Sequence, residues 1–333
     1  MLFTIAIFIG LIAVLIVGHE FGHFLLAKLF KLRVDEFAFG FPPRLISKRV
    51  RETKYSLNLI PLGGFVKIYG ETADAGKEHI QRSFYHQAAW KRFLVIFAGV
   101  VMNFLIGWAA FSAIFISGVP HKVYIDEVAP GSPAEAAGFK PGEELRGFET
   151  PESFSQFVKD NAGKEILIND KQVTPRVNPP LGEGALGVAV SDAYVAPRGF
   201  FASVRDGFFR TVETLGSILV GLGRIIMSLF SGGDLASQVS GPVGIFKVVG
   251  GAADLGFIYI LNLLGLLSLN LAVFNLLPVP ALDGGRLLFI GLEKLLGRRL
   301  NPMHENVANL IGFALLMLLA VTVTINDVLK LTR

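Results

Sequence analysis

The chain has 333 residues, of which 52% are hydrophobic and 17% are charged, and its mean hydropathy is +0.55. This composition excludes an ordinary soluble domain and is typical of an integral membrane protein with a modest soluble part. The net charge is +4, but many basic residues flank apolar stretches, so we expect no nucleic-acid partner. The absence of cysteine excludes disulfides, cysteine zinc ligands and a thiol nucleophile.

Four long apolar stretches can each cross a bilayer, because about 20 apolar residues span roughly 30 Å of hydrocarbon. The first begins at the second residue and has some features of a signal peptide. It lacks a basic start and a small-residue cleavage site, so we expect it to be retained. The four stretches are 2–30, 93–119, 257–282 and 307–325.

The first stretch contains a His-Glu-x-x-His sequence formed by His19, Glu20 and His23. On a helix, residues four apart lie on the same face, so both imidazoles can bind one Zn²⁺. Glu20 can then take a proton from a water that the metal activates. The alternative is a cluster that is merely solvated at the lipid headgroups. Because ionisable residues at membrane depth are costly, they are more often functional, and this favours the metal site.

The basic residues set the expected orientation. The loop 31–92, between the first two stretches, has twelve lysines and arginines against six aspartates and glutamates. Cytoplasmic loops carry such an excess, so this loop is predicted to be cytoplasmic and the segment 121–205 to lie outside. His19, Glu20 and His23 are then near the cytoplasmic end of the first span.

Within the basic loop, two short β-prone runs, 55–60 and 65–68, are separated by Pro-Leu-Gly-Gly, which includes Gly63 and Gly64. This pattern predicts a β-hairpin. Open sheet edges are not tolerated against lipid, so the hairpin is expected against protein or beside a wet cavity. Its edge can receive an extended peptide by strand addition. A surface hairpin without any ligand fits the local sequence equally well.

Two histidines leave zinc short of the usual catalytic ligand set, and the segment 275–286 offers a third ligand. Two prolines and two glycines break the helix there, and Asp283 lies in the break. Such a break is viable at membrane depth only where protein or a water-filled cavity satisfies the backbone. The alternative is a hinge in which Asp283 caps the next helix. Asn275 can hydrogen-bond a substrate backbone or bridge two helices.

Together, the two motifs resemble a known family. His-Glu-x-x-His at 19–23 and Asn-x-x-Pro-x-Pro-x-Leu-Asp-Gly at 275–284 are similar to those of the site-2 protease family of intramembrane zinc metalloproteases, in particular its RseP-like branch. The resemblance extends over the whole chain. Residues 39–43 and 63–64 resemble the family's membrane-associated β-hairpin region, and 240–245 resemble its motif before the third span.

The resemblance implies a zinc cofactor, a general base and residues that contact the substrate. Mixed nitrogen and oxygen donors also favour zinc over other divalent ions. The implied zinc ligands are His19, His23 and Asp283, the general base is Glu20, and the predicted substrate-binding residues are Asn275, Gly63 and Gly64.

The segment between the second and third stretches resembles a PDZ domain, a peptide-binding module that adds a ligand strand to its sheet. A strand is expected at 123–128, a short helix and turn at 129–143, the start of a second helix at 154–158 and an apolar binding loop at 186–188. The chain departs from the usual PDZ pattern at 142–147. The sequence is therefore equally compatible with two roles for this segment. Its groove can be shallow or closed, with a purely steric role, or it can capture a peptide.

Apolar residues recur at helical spacing over 199–230 beside charged ones, which predicts a long amphipathic helix at the outer membrane face. As a whole, we predict a polytopic α-helical membrane protein with four transmembrane helices, a membrane-associated β-hairpin and an inserted small α+β PDZ-like domain. Residues 1–119 and 196–333 are assigned to the membrane domain and 120–195 to the PDZ-like domain.

The predicted function is that of an intramembrane zinc metalloendopeptidase that cleaves a peptide bond in or beside a transmembrane helix. Expected partners are single-span membrane proteins or signal peptides, together with the lipid bilayer. The expected location is a bacterial inner membrane, with the active site near the cytoplasmic face and the PDZ-like domain outside.

Two alternatives come from other functional classes. A catalytically silent, PDZ-bearing membrane scaffold would leave the metal motif unused, and a metal transporter would use the two histidines and Asp283 as a transit site. The few further ionisable residues along the apolar stretches argue against a transporter, because a transport pathway needs several binding stations. The presence of Glu20 argues against a silent scaffold, which has no need of a general base.

Overall fold

A computed structural model of the chain divides into two compact units. One unit comprises Met1–Ala113 and Val204–Arg333, and the other comprises Ile114–Ser203. The structure describes residues 1–71, 80–119, 121–180, 183–192, 194–230 and 241–331.

The first unit is mainly helical, and most of each of the four apolar stretches forms a long helix. The third of these helices ends at Leu276, earlier than the apolar stretch predicts, because Pro278 and Pro280 cannot continue it. Ser240, the first residue of the motif at 240–245, lies outside the described residues. The helices of this unit are α1 (Leu2–Leu29), α2 (Ala89–Ser117), α5 (Phe200–Phe230), α6 (Pro242–Leu255), α7 (Phe257–Leu276), α8 (Asp283–Leu296) and α9 (Pro302–Leu331), with a 3-10 turn at Ile80–Arg82.

In the part of the chain that the structure describes, five helices are long and apolar enough to cross a membrane: α1, α2, α5, α7 and α9. The additional one is α5, which we predict as an amphipathic surface helix. Its most apolar window has a mean hydropathy of 1.3, against 2.1 to 2.6 in the other four helices. These helices identify a multi-pass membrane protein, and α5 is the least apolar of them.

Two long strands, β1 (Val34–Val50) and β2 (Thr53–Ile68), form a sheet beside α1. The first half of β1 lies between two segments of β2, since Phe37 pairs with both Tyr55 and Val66. The turn between the strands is at 51–52, where Arg51 has a φ of 55°.

The direct pairing that we predict between 55–60 and 65–68 is therefore wrong. Both runs belong to β2, which continues through the Pro-Leu-Gly-Gly segment, and β1 separates them. A glycine pair between β-prone runs is typical of a turn. Here the glycines instead let the strand pass close to its neighbours: a Cβ at Gly63 would lie 2.1 Å from the ring of Phe41.

A buried apolar cluster ties the sheet to the helices around it. It joins Ala27 of α1, Val34 and Ile68 of the sheet, Val95 of α2 and Leu287 of α8. The cluster therefore holds together the elements that carry the two sequence motifs.

The turn of the sheet is tied to α1 by charge. Lys28 Nζ and Arg82 Nη2 each donate a hydrogen bond of 2.8 Å to Glu52 Oε1. The hydrogen bond from Lys28 and that from Arg82 hold the pKa of Glu52 below its ordinary value. This anchors the turn to the end of α1, the helix that carries His19 and His23.

The second unit has its own core, in which Ile125, Leu145 and Phe154 are buried. Its main sheet has the strand order β4-β3-β7, and β5 pairs with β6. The strand predicted at 123–128 is present, and the helix predicted to start at 154 begins earlier, at Pro151, because Thr150 caps it. The elements are β3 (Val123–Val128), α3 (Pro133–Ala136), β4 (Glu144–Leu145), α4 (Pro151–Asp160), β5 (Ile166–Ile168), β6 (Lys171–Val173) and β7 (Val188–Asp192).

A buried ion pair connects α2 to α8 and generates a stability prediction. The side chains of Arg92 and Glu293 are each 8% exposed, and Glu293 Oε1 also accepts a hydrogen bond from the Leu300 N–H.

Glu293→Ala leaves the buried Arg92 guanidinium without its partner and is expected to cost about 3–5 kcal/mol of stability. Glu213→Ala is the control. It removes the partner of Arg210 in an exposed ion pair and should cost about 0–1 kcal/mol of stability. Thermal unfolding of both variants in detergent measures the difference, and equal melting temperatures would contradict the prediction.

Candidate metal centre and active site

The structure brings together three of the predicted site residues, His19 and His23 of α1 and Asp283 at the start of α8. The two Nε2 atoms are 3.1 Å apart, and Asp283 Oδ2 is 3.0 Å from His19 Nε2 and 3.3 Å from His23 Nε2. Both histidines are buried. Although His19 and Asp283 are far apart in sequence, their ligand atoms lie at a common point.

These three atoms fit a zinc ion. Ligand atoms at about 2.0–2.1 Å from a tetrahedral ion are roughly 3.3 Å from one another, close to the separations seen here. Asp283 Oδ2 is buried and makes no hydrogen bond of good geometry. A buried carboxylate oxygen without a donor is costly, and a cation between it and the two imidazoles would satisfy it. The donor set of two nitrogens and one oxygen is that of catalytic zinc sites.

Two groups of α2 lie behind the imidazoles. Val95 O lies 2.9 Å from His23 Nδ1 and can only accept, so Nδ1 carries the hydrogen and Nε2 presents its lone pair. Asn103 Nδ2 lies 3.2 Å from His19 Nδ1. Val95 and Asn103 are eight residues apart, about two turns, so they lie on one face of α2.

Glycine makes this close approach possible. Gly99 lies midway between Val95 and Asn103, and a Cβ there would be 2.5 Å from His23 Cε1 and 2.6 Å from His19 Cε1. No side chain therefore fits at Gly99 without moving the two rings.

The loop between α7 and α8 delivers Asp283 to the histidines. Ala281 has a φ of 77°, and its N–H donates to Asn309 Oδ1 of α9 at 3.0 Å. A Cβ at Gly284 would be 2.2 Å from Leu277 O, so the loop folds back tightly on α8. Asp283 is the first residue of α8, after the N-cap Leu282, and no side-chain cap bond is present. The alternative in which Asp283 caps this helix is thus not the arrangement observed.

Glu20 lies beside the three ligands on the wall of a cavity of about 360 Å³. It is half-buried. One side of the cavity is formed by 65–68 of β2, and polar side chains of Lys67, Glu71 and Arg286 line it as well, the last two forming an ion pair. The remaining lining residues are His19, His23, Phe84, Val95, Ile96 and Asp283.

The three predicted substrate-binding residues have different surroundings. Asn275 Nδ2 is 3.4 Å from His19 Nε2, at the edge of the metal centre. A Cβ at Gly64 would be 3.3 Å from Glu20 Cγ, so this glycine packs against the proposed base. Gly63 is buried under the ring of Phe41. The part of β2 that follows these glycines, 65–68, lines the cavity.

Several residues of the site are not among the sequence predictions, namely Gly99, Asn103, Asn309 and Arg286. Asn103 has a sequence signal, since it is the one amide in the apolar stretch 93–119, and polar residues within spans are often functional. Gly99 and Asn309 have no sequence signal, because their roles depend on which helices pack against each other in the folded chain.

Comparison with known proteins identifies the family. The model of peptidase family M50 matches residues 7–319. A relative from Clostridium acetobutylicum is 33% identical over 337 residues, covering 98% of this chain and 97% of the relative. Zinc metalloprotease RasP of Oceanobacillus iheyensis is 30% identical, covering 98% and 99% of the two chains, and that of Geobacillus kaustophilus is 30% identical, covering 98% of each.

The chain belongs to peptidase family M50, the site-2 protease family. The predictions of the family, of a zinc-dependent protease of the site-2 type and of a zinc cofactor are confirmed. The match covers most of the first unit and all of the second.

The close approach at Gly99 generates a prediction about zinc affinity. Gly99→Ala forces a methyl group against both imidazoles and should weaken zinc binding by about tenfold or more, the equivalent of 1–3 kcal/mol of overpacking. Gly10→Ala on α1 is the matched control, because nothing lies within 4 Å of a Cβ there. Chelator competition on purified protein measures both variants. Equal affinities would show that the rings move aside without cost.

Proposed function

We propose that His19, His23 and Asp283 hold the catalytic zinc ion and that Glu20 is the general base for hydrolysis of a peptide bond. The observation that carries this proposal is the convergence of three ligand atoms within 3.3 Å of one another on the wall of a cavity that Glu20 also lines. The order of His19, Glu20 and His23 along one helix supports this proposal, because Glu20 directly follows one of the proposed ligands.

The residues divide the chemical work as follows. When bound, zinc supplies a Lewis acid that polarises a carbonyl and lowers the pKa of water. The Glu20 carboxylate accepts a proton from the attacking water and returns it to the leaving amide nitrogen. Asn275 would hydrogen-bond the substrate backbone beside the ligands, and its amide nitrogen, 3.4 Å from His19 Nε2, supports this role.

We infer that the substrate is an extended segment of a membrane-anchored protein or of a signal peptide. Backbone inside an intact helix is already hydrogen-bonded and shielded, so the segment must unwind before attack. The 64–68 segment of β2 pairs with 34–39 of β1, and 65–68 line the cavity. Strand addition there would hold the unwound segment, with Gly63 and Gly64 at the start of the receiving strand.

We propose a bacterial inner membrane as the location, with the metal centre near the cytoplasmic face. The basic loop 31–92 supports this orientation. The inserted unit, which we interpret as a PDZ-like domain over 120–195, is then extracytoplasmic. Its strand, helix and turn order supports this interpretation.

The roles of Glu20 and Asp283 are separable by experiment. Asp283→Ala removes a ligand and should lower both zinc occupancy and cleavage of a single-span reporter. Glu20→Gln keeps the ligands and should retain zinc while cleavage falls by about 10² to 10⁴-fold. Zinc analysis and reporter cleavage are measured on the same preparations. Full zinc content with full cleavage in Asp283→Ala would place the third ligand elsewhere.

The orientation is testable because the chain is free of cysteine. A cysteine at exposed Arg49 of β1 should react with a membrane-permeant thiol reagent and be protected from an impermeant one added to intact cells. A cysteine at exposed Lys164 of the inserted unit should react with both. The unsubstituted chain is the blank. The opposite labelling pattern would overturn the orientation.

A further inference from the structure

Asn103 is a buried polar residue that the proposed mechanism does not use. It lies in the interior of α2 and is 0% exposed. Among the residues that the structure describes, its side chain has one hydrogen-bond partner, His19 Nδ1 at 3.2 Å, and its Oδ1 has none. Burying an amide with an unsatisfied oxygen costs about 1–3 kcal/mol, so a purely structural position would favour an apolar side chain.

The backbone of Asn103 is fixed in place by α7. Ser268 Oγ donates a hydrogen bond of 2.8 Å to Asn103 O, and Ser268 is also fully buried. Nearby, a Cβ at Gly107 would be 3.0 Å from Leu269 Cδ2, so α2 and α7 are in close contact. The amide therefore stands on a rigid support, with His19 in front of it.

The two histidines differ in what lies behind them. Val95 O accepts a hydrogen bond from His23 Nδ1 and leaves His23 Nε2 free for the metal. In the equivalent place, His19 Nδ1 faces the Asn103 amide. When His19 Nε2 binds zinc, the neutral imidazole carries its hydrogen on Nδ1, and that hydrogen requires an acceptor.

We propose that Asn103 is the positioning residue of His19, with its Oδ1 accepting the Nδ1 hydrogen in the zinc-loaded enzyme. A half-turn of the amide brings Oδ1 to the place of Nδ2, so the oxygen that now lacks a partner gains one. Because an amide carries a donor and an acceptor, this rotation changes the group that faces His19 Nδ1 from a donor to an acceptor.

This inference rests on the proposed metal site. Variants of Asn103 separate the effect of its hydrogen-bonding groups from that of its side-chain volume. Asn103→Leu keeps the size and removes the acceptor. Asn103→Asp keeps an oxygen acceptor, and Asn103→Ser keeps polarity but is too short to reach His19. Ser112→Ala is the matched control, because Ser112 is a buried polar residue of the same helix whose hydroxyl donates a hydrogen bond within α2, to Trp108 O.

The readout is the zinc dissociation constant of the full-length protein in detergent, measured by competition with a chromophoric chelator. Loss of a hydrogen bond behind a zinc-binding histidine is expected to weaken binding by about 10 to 100-fold in Asn103→Leu and Asn103→Ser. Asn103→Asp and Ser112→Ala should stay within about threefold of wild type. Thermal unfolding of the metal-free proteins confirms that each compared variant is folded.

Two results would overturn the proposal. One is wild-type zinc affinity in whichever of Asn103→Leu and Asn103→Ser folds. The other is equal weakening in Asn103→Asp, which would mean that the acceptor oxygen is not what matters. Asp283→Ala measured in parallel separates this failure from that of the metal site. If Asp283→Ala binds zinc normally, the proposed site itself is wrong, whatever Asn103 does.

Discussion

The metal centre depends on how closely α1 and α2 approach each other. A Cβ at Gly22 would be 2.3 Å from Ala98 O, and one at Gly99 would be 2.5 Å from His23 Cε1. Helices in a bilayer gain little from the hydrophobic effect, so small residues at their contacts supply the packing. Here the same contact also brings Val95 O and the Asn103 amide within hydrogen-bonding distance of the imidazoles. The same close contact between α1 and α2 is therefore needed both for helix packing and for the orientation of the proposed ligands.

A second constraint is the irregular backbone that carries Asp283. Freed N–H and C=O groups are tolerated at membrane depth only where protein or water covers them. Helix α9 provides this cover, because Asn309 accepts the Ala281 N–H and a Cβ at Gly312 would be 2.3 Å from Pro280 O. Although α9 offers no ligand, the position of the carboxylate depends on it. Helix α8 begins at Asp283, so the backbone torsion angles of this residue are fixed by the helix.

The sequence predicts local features well, since helical spacing alone places His19 and His23 on one face. Hydropathy predicts the long helices, and the cluster of prolines and glycines predicts the break before Asp283. The pairing of β1 with β2 is not predictable in this way, because Gly63 and Gly64 have the composition of a turn while tertiary contacts keep the strand continuous. The environment of Asn103 is likewise non-local, as it depends on which face α2 turns toward α1. Helix α5 has both an amphipathic period and an apolar average, and the two properties predict different positions relative to a membrane.

Hydrolysis requires water at a place that apolar helices surround, and the composition of the cavity addresses this requirement. Lys67 and the ion pair of Glu71 with Arg286 line the same space as the ligands, so part of the wall is polar. Phe65 and Val66 supply apolar contact on the strand side. A peptide segment that unwinds loses its helical hydrogen bonds, and each unpaired backbone group in an apolar setting costs several kcal/mol. In the proposed reaction, strand pairing beside this charged wall would lower that cost at the point where the carbonyl must be exposed to attack.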